Sequence, residues 1–222
     1  MKRHKEDYPM YKIFLSPSNQ FENKYAGMGT SEGEQMGKVA QALQKALVRC
    51  GFGVLTIHDA TMQAKVHAAD QYGADLYIPI HSNAYNGKVS GTRLFCWDMQ
   101  GEGFKACTAI SRHLFPLTPG TSESITKAQD LYEVRMPKAP TAYIEVDFHD
   151  VAEVARWIVD HIEEIAESIC KGVCDFFTVP YVEPKPAKIY RVQVGAFRNR
   201  ENAERLLRNL QVDYPDAFIK ED

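Results

Sequence analysis

Asp75-Leu76-Tyr77-Ile78-Pro79-Ile80-His81-Ser82-Asn83-Ala84 decides how the rest of the chain is read. Six residues of β-prone, largely apolar character run directly into a polar tetrad, the pattern of a buried strand whose end opens onto a loop. Two further segments share it. Tyr11-Lys12-Ile13-Phe14-Leu15 runs into Ser16-Pro17-Ser18-Asn19-Gln20, and Thr141-Ala142-Tyr143-Ile144-Glu145-Val146 runs into Asp147, Phe148 and His149. Between them lie segments with helical spacing. Thr30 or Ser31 can cap a helix carrying Met36, Val39, Ala40, Leu43, Ala46 and Leu47 at intervals of three or four, stopped by Gly51 and Gly53. Further helices are expected over 61–72 and 104–114, with a single long one over 151–177. Additional strands are expected over 52–57 and 92–97, and a loop-rich, exposed stretch over 116–139. Strands alternating with helices of ten or more residues predict an α/β fold: one mainly parallel, twisted sheet over 10–178, with helices on both faces.

After Phe177 the composition changes. Val179-Pro180-Tyr181-Val182-Glu183-Pro184-Lys185-Pro186 reads as a proline-stiffened linker over 179–186. A short β-α appendage follows over 187–222: an alternating strand, Ile189 to Val194, then a helix from Asn199 to Leu210 with Ala203, Leu206, Leu207 and Leu210 on one side.

The chain of 222 residues is 45% hydrophobic and 25% charged, with a formal net charge of -3, so a globular core is expected and a dominant nucleic-acid footprint is not. No apolar run approaches the length of a membrane span, and the start, Met1 to Asp7, is followed by no unbroken apolar segment of the kind a signal peptide carries. Cys50, Cys96, Cys107, Cys170 and Cys174 are odd in number, which suits reduced thiols better than a disulfide framework. Cys170 and Cys174, four apart on an expected helix, read as packing residues, because no second pair completes a zinc knuckle.

In open α/β sheets the ligand crevice lies outside the carboxyl ends of the strands. The polar ends of the three strands bring Asn19, His81, Asn83, Glu145 and His149 to one rim, and Glu32, in the first turn of the first helix, reaches it as well. Imidazole and carboxylate together suit a hydrolytic zinc centre, and a carboxylate that is not a ligand can carry the proton. Each residue also has a plainer role: His81 bonding its own loop, Glu32 serving the helix dipole, His149 exposed or capping. Glu145 is the hardest to explain so, because it interrupts an apolar run where a buried carboxylate is costly.

These residues carry a likeness. The chain from Ile13 to about Phe177 resembles the zinc-dependent N-acetylmuramoyl-L-alanine amidases of the Amidase_3 family. Ser16 to Gln20 sits where that family has its Asp-Pro-Gly-His-Gly turn. Glu32, followed by Ala40 and Leu43, matches the helix-borne glutamate ligand. Ile80-His81-Ser82-Asn83-Ala84 matches Ile-His-x-Asn-Ala, whose histidine binds zinc, and Arg135, Pro140 and Ile144-Glu145-x-x-Phe148 match the segment with the catalytic glutamate. The resemblance implies hydrolysis of the amide between N-acetylmuramic acid and L-alanine in peptidoglycan. Glu145 would be the proton carrier, Glu32 and His81 zinc ligands, and Asn83 and Arg135 groove residues. Asn19 falls where the family has a histidine, so the third ligand is either the Asn19 region or His149, with Asp147 or Asp150 to orient the His149 ring. A peptidoglycan-binding protein with weak or no turnover is the alternative. Tyr190 to Phe197, then Asn199 to Ala203 and Leu206, resemble the opening of a SPOR domain, which implies a partial wall-binding module. The setting expected is cytoplasmic until the producing cell lyses, in sporulation or from a prophage.

Overall fold

The computed structural model describes residues 10–185 and 192–221. The element order is β1 (Lys12–Pro17), α1 (Glu32–Arg49), β2 (Gly53–Thr56), α2 (Met62–Tyr72), β3 (Leu76–Asn83), β4 (Arg93–Cys96), α3 (Glu102–Leu114), β5 (Ser124–Lys127), α4 (Tyr132–Arg135), β6 (Tyr143–Phe148), α5 (Ala152–Asp160), α6 (Ile162–Phe177) and α7 (Arg200–Leu210). The six strands form one sheet in the order β2-β1-β3-β6-β4-β5. All neighbours are parallel except β4 and β6. The expected α/β architecture is therefore present, with 11–15, 75–80 and 141–146 contributing three adjacent strands.

Side chains alternate across the sheet with period two. Ile13, Leu15, Ile78, Ile80, Leu94, Ile144 and Val146 point to one face and form the main core with α1, α3, α5 and α6. Phe14 and Tyr77 point to the other, where Val66 and Ala69 of α2 and Tyr132 of α4 cover them. Ser16, His81 and Glu145 share this second face by parity.

Helix starts follow local chemistry. Ser31 caps α1, accepting from Glu34 N–H while the Glu34 carboxylate accepts from Ser31 N–H, a reciprocal capping box that fixes where Glu32 stands. Thr61 caps α2 with a single bond, accepting from Ala64 N–H. On the main-core side α3 and α6 pack so closely that a Cβ on Gly172 would overlap Ile110 Cα.

Two expectations need correction. The stretch 116–139 is not simply loop: β5 extends the sheet edge, and α4 buries Glu133 and Val134. The helix expected over 151–177 is two, because the backbone leaves helical geometry at His161 (φ -122°, ψ 29°). No helix among the described residues is long and apolar enough to cross a membrane.

The chain divides into two compact units, up to Pro184 and from Lys185 onward. In the second, Asn199 caps α7 through Glu201 N–H, and Ala203, Leu206, Leu207 and Leu210 form its less exposed side. Of the strand expected over 189–194, Ile189 to Arg191 lie outside the described residues, and Val192 to Val194 take no strand pairing among the described residues.

Candidate active site

The site lies on the second face, where β3 and β6 pair. His81 stands opposite Glu145 in the ladder, and the register shifts between His81 and Asn83. Such an irregularity re-aims side chains at a strand's end. Glu32, delivered by the first turn of α1, accepts from His81 Nδ1 at 2.9 Å through Oε1. Asn23 Nδ2 donates to Glu32 Oε2 at 3.0 Å. Tyr143 stacks on the His81 ring at 4.8 Å between centroids.

The other imidazole nitrogen faces a residue that the sequence did not mark. Glu133, on α4 and 4% exposed, places Oε2 3.9 Å from His81 Nε2. Its Oε1 accepts hydrogen bonds from Ser16 Oγ and Tyr77 Oη, both at 2.5 Å. Lys65, also buried, donates to Pro17 O; its pKa is lowered by burial against the opposing charges of Glu133 and Asp59. One acidic side chain thus ties β1, β3 and His81 together.

Burial alone would depress His81. The nearby Glu133 carboxylate, the hydrogen bond to Glu32 and the Glu145 charge outweigh that and hold it up at about 9. Burial opposes ionisation of Glu32 and Glu133 too, but the bond from His81 to Glu32, and for Glu133 the nearby His81 with the hydroxyls of Ser16 and Tyr77, keep both below the usual carboxylate range. Glu145 behaves in the opposite way. Burial raises it to about 8 against the lowering effect of the His81 charge, and its Oε2 is buried with no hydrogen-bond partner. A buried acceptor left unpaired beside an imidazole and a carboxylate is costly unless something else occupies the space between them.

His149 is 3% exposed and part of a neighbouring chain of contacts. Its Nδ1 lies 2.9 Å from Ser82 Oγ, which lies 2.8 Å from Tyr25 Oη, and the Tyr25 ring stacks on the imidazole at 5.0 Å. Burial lowers the His149 pKa, so the ring is neutral near pH 7. Its ring partner is Ser82. Asp147 Oδ1 accepts from Gly91 N–H, and Asp150 Oδ2 from Tyr85 and Gly87 N–H, so the orienting role expected for either aspartate falls to the serine.

Asn19 is exposed, and its amide donates to Ala60 O at 3.0 Å. Asn83 accepts from Ala84 N–H through its side chain and from His149 N–H through its carbonyl, fixing the turn after β6. Arg135, exposed at the end of α4, lines a cavity of about 310 Å³ with Trp97, Glu102, Pro140 and Thr141.

The structure therefore brings Glu32, His81 and Glu145 together, adds Glu133, and sets His149 next to them on a separate hydrogen-bond chain. Glu32 and His81 offer one oxygen and one nitrogen donor converging on the same side, a set that suits a divalent cation of borderline softness. With a cation at Nδ1, Glu133 is placed to accept from Nε2–H, the carboxylate–imidazole arrangement that orients metal-binding histidines. Among the described residues no third His, Cys, Asp or Glu donor stands within 4.8 Å of both.

Residues 21–175 match the family model for N-acetylmuramoyl-L-alanine amidase. The chain belongs to this family. Residues 184–221 match the SPOR domain model. Among curated relatives of the amidase, the sporulation-specific N-acetylmuramoyl-L-alanine amidase of Bacillus subtilis (strain 168) is 22% identical over 219 residues, 95% of this chain and 84% of that one. The amidase CwlM of Bacillus licheniformis is 23% identical, covering 95% and 85%. The fold is that of solved amidase domains. The catalytic domain of CwlV from Bacillus (Paenibacillus) polymyxa var. colistinus superposes with a TM-score of 0.71 at 15% identity, over 77% of this chain and all of that one. AmiC2 of Nostoc punctiforme gives 0.67 at 17%, over 76% and 97%.

Proposed function

We propose that this amidase hydrolyses the amide joining N-acetylmuramic acid to the L-alanine of the stem peptide in peptidoglycan, with Zn2+ as its cofactor. The observation that carries the reading is Glu145: a carboxyl group with an unpartnered buried oxygen, opposite His81 and close to Glu32. Glu32 and His81 would hold the ion, and His149, which must shift inward to complete the set, is the proposed third ligand in place of the exposed Asn19, whose amide nitrogen donates to Ala60 O. When bound, zinc supplies Lewis-acid polarisation of the scissile carbonyl. Glu145 takes the proton of the attacking water on Oε2 and gives it to the departing L-alanine nitrogen, a shuttle for which an elevated pKa is suited near neutral pH. Glu133 holds the His81 ring in orientation through Nε2. Asn83 fixes the turn that presents His149, and Arg135 shapes the groove that receives the substrate.

The SPOR match supports peptidoglycan as the partner, with residues from Lys185 onward as a wall-binding module. The name of the Bacillus subtilis relative supports a sporulation setting; action on the wall when the producing cell lyses is the course proposed there. Release of this protein from intact growing cells would count against that setting.

The test is digestion of purified peptidoglycan. New free amino groups on L-alanine are expected, removed by a chelator, restored by Zn2+ and abolished in Glu145→Gln. Binding to the wall without such release at full zinc supply would instead establish a binding protein, the reading that the Asn19 position favours.

A further inference from the structure

Cys50 ends α1, at the opposite end of that helix from Glu32, and Cys170 and Cys174 lie one turn apart on α6. All three are free thiols, none more than 7% exposed, and their sulfur atoms lie within 4.8 Å of one another. Cys50 Sγ and Cys170 Sγ are 3.7 Å apart. A cation with metal–sulfur bonds of about 2.3 Å holds its sulfurs roughly 3.8–4.0 Å apart, so little movement separates this cluster from a ligated one. The Cys170-Cys174 spacing looked like packing because Cys50, 120 residues away, is invisible to local sequence pattern.

The surroundings favour a thiolate cluster over an apolar contact. Beyond α6 the chain returns across Cys50, and Val182 N–H donates to its sulfur at 3.4 Å. Arg49 Nε donates to Val182 O at 2.7 Å, and Arg49 Nη2 pairs with Glu167 at 2.5 Å, so the peptide that faces the Cys50 sulfur is held by a guanidinium–carboxylate pair.

We propose that Cys50, Cys170 and Cys174 form a binding site for a thiophilic d10 cation, Zn2+ or Cu+, separate from the His81–Glu32 site. Zn2+ displaces three thiol protons to solvent and forms three metal–sulfur bonds; Cu+ displaces two. Either leaves the cluster with a charge of -1. The bound ion joins the end of α1, α6 and the segment around Val182 into one clip.

Cadmium is the probe, because its thiolate complexes absorb by ligand-to-metal charge transfer and a His–Glu site does not. Reduced, chelator-stripped full-length protein is expected to take up one equivalent with that absorption. Cys50→Ser, Cys170→Ser and Cys174→Ser, each checked by circular dichroism, should weaken uptake at least tenfold. Cys96→Ser and Cys107→Ser should not. Zn2+ and Cu+ are then titrated against the cadmium band, and the one that bleaches it at the lower free concentration is the preferred ion. A measurement on the unaltered chain guards against misfolded variants: alkylation in a brief denaturant pulse, mapped by mass, should find Cys50, Cys170 and Cys174 protected in the metal-loaded protein and Cys96 and Cys107 modified. Absence of the band in the unaltered chain, its survival in the three variants, or equal alkylation of all five cysteines would overturn the proposal.

Discussion

Glu145 faces His81 across the β3–β6 ladder, so a carboxyl group raised to about 8 stands beside an imidazole raised to about 9. Both hold protons more tightly folded than unfolded. The Glu145 contribution is complete below its ordinary value of 4.5 and lost as pH rises through about 8; that of His81 is complete below 6.5 and lost through about 9. Glu32 and Glu133, held low, act in the reverse sense and lose their contribution in acid. Metal-free protein should therefore lose stability, on the order of a few kcal/mol, between about pH 6 and pH 9. Urea unfolding at the two pH values measures this, and Glu145→Gln should flatten part of the slope. Equal stability at both would contradict the assignment.

Metal uptake at this site has its own pH signature. An ion bound at His81 Nδ1 must displace the proton that Glu32 now accepts. Zinc affinity should therefore tighten as pH rises, by up to about tenfold per unit below about 9. Competition with a chromophoric chelator between about pH 6 and 8 would show it; a flat profile would remove His81 from the ligand set.

Glu133 anchors three partners, and its removal leaves Ser16 Oγ and Tyr77 Oη without their acceptor in a buried place. Glu133→Ala should cost roughly 2–4 kcal/mol. Glu133→Gln should cost less, because its amide oxygen can still accept. If Glu133 also orients His81, both variants should weaken zinc affinity about 10- to 100-fold while folded, whereas a purely structural role would leave affinity intact.

Gly172 permits the contact between α3 and α6, where an added Cβ meets the Ile110 backbone, not a movable side chain. Gly172→Ala gains helix propensity of up to about 1 kcal/mol but forces two helices apart. The net expectation is destabilisation of about 1–3 kcal/mol, read as a lower melting temperature. A melting temperature equal to or above that of the parent would show that the pair can separate freely.

How far the sequence could be read depended on segment length and on separation. β1, β3, β6 and α1 were legible because each is long enough for its period to repeat, and Glu145 because a charge in an apolar run has few plain explanations. β5 and α4 have four residues each, too few for any period, so Glu133 had no local signature. One indirect signal existed: Tyr77 places a phenol in an apolar strand, and such a group needs a partner when buried. The break at His161 has neither glycine nor proline to announce it. The Ser82 partner of His149 and the Cys50 partner of Cys170 come from chain segments 67 and 120 residues away, and only the folded topology brings them together.

Residues 18–31, which carry Asn19 and lead to Glu32, form no helix and no named strand, yet they are fastened along their length. Ser18 N–H donates to Ile80 O, Ala26 N–H to His149 O, and Tyr25 Oη contacts Ser82. Glu32 and Gly33 N–H reach back to Asn23 O and Gln20 O. The rim of the site is thus fastened in the free protein, and binding there need not freeze it. Selectivity in such a groove is by fit to a standing shape. Lengthening or loosening this segment should raise KM through the entropy of re-ordering, while leaving Glu145 in its place opposite His81.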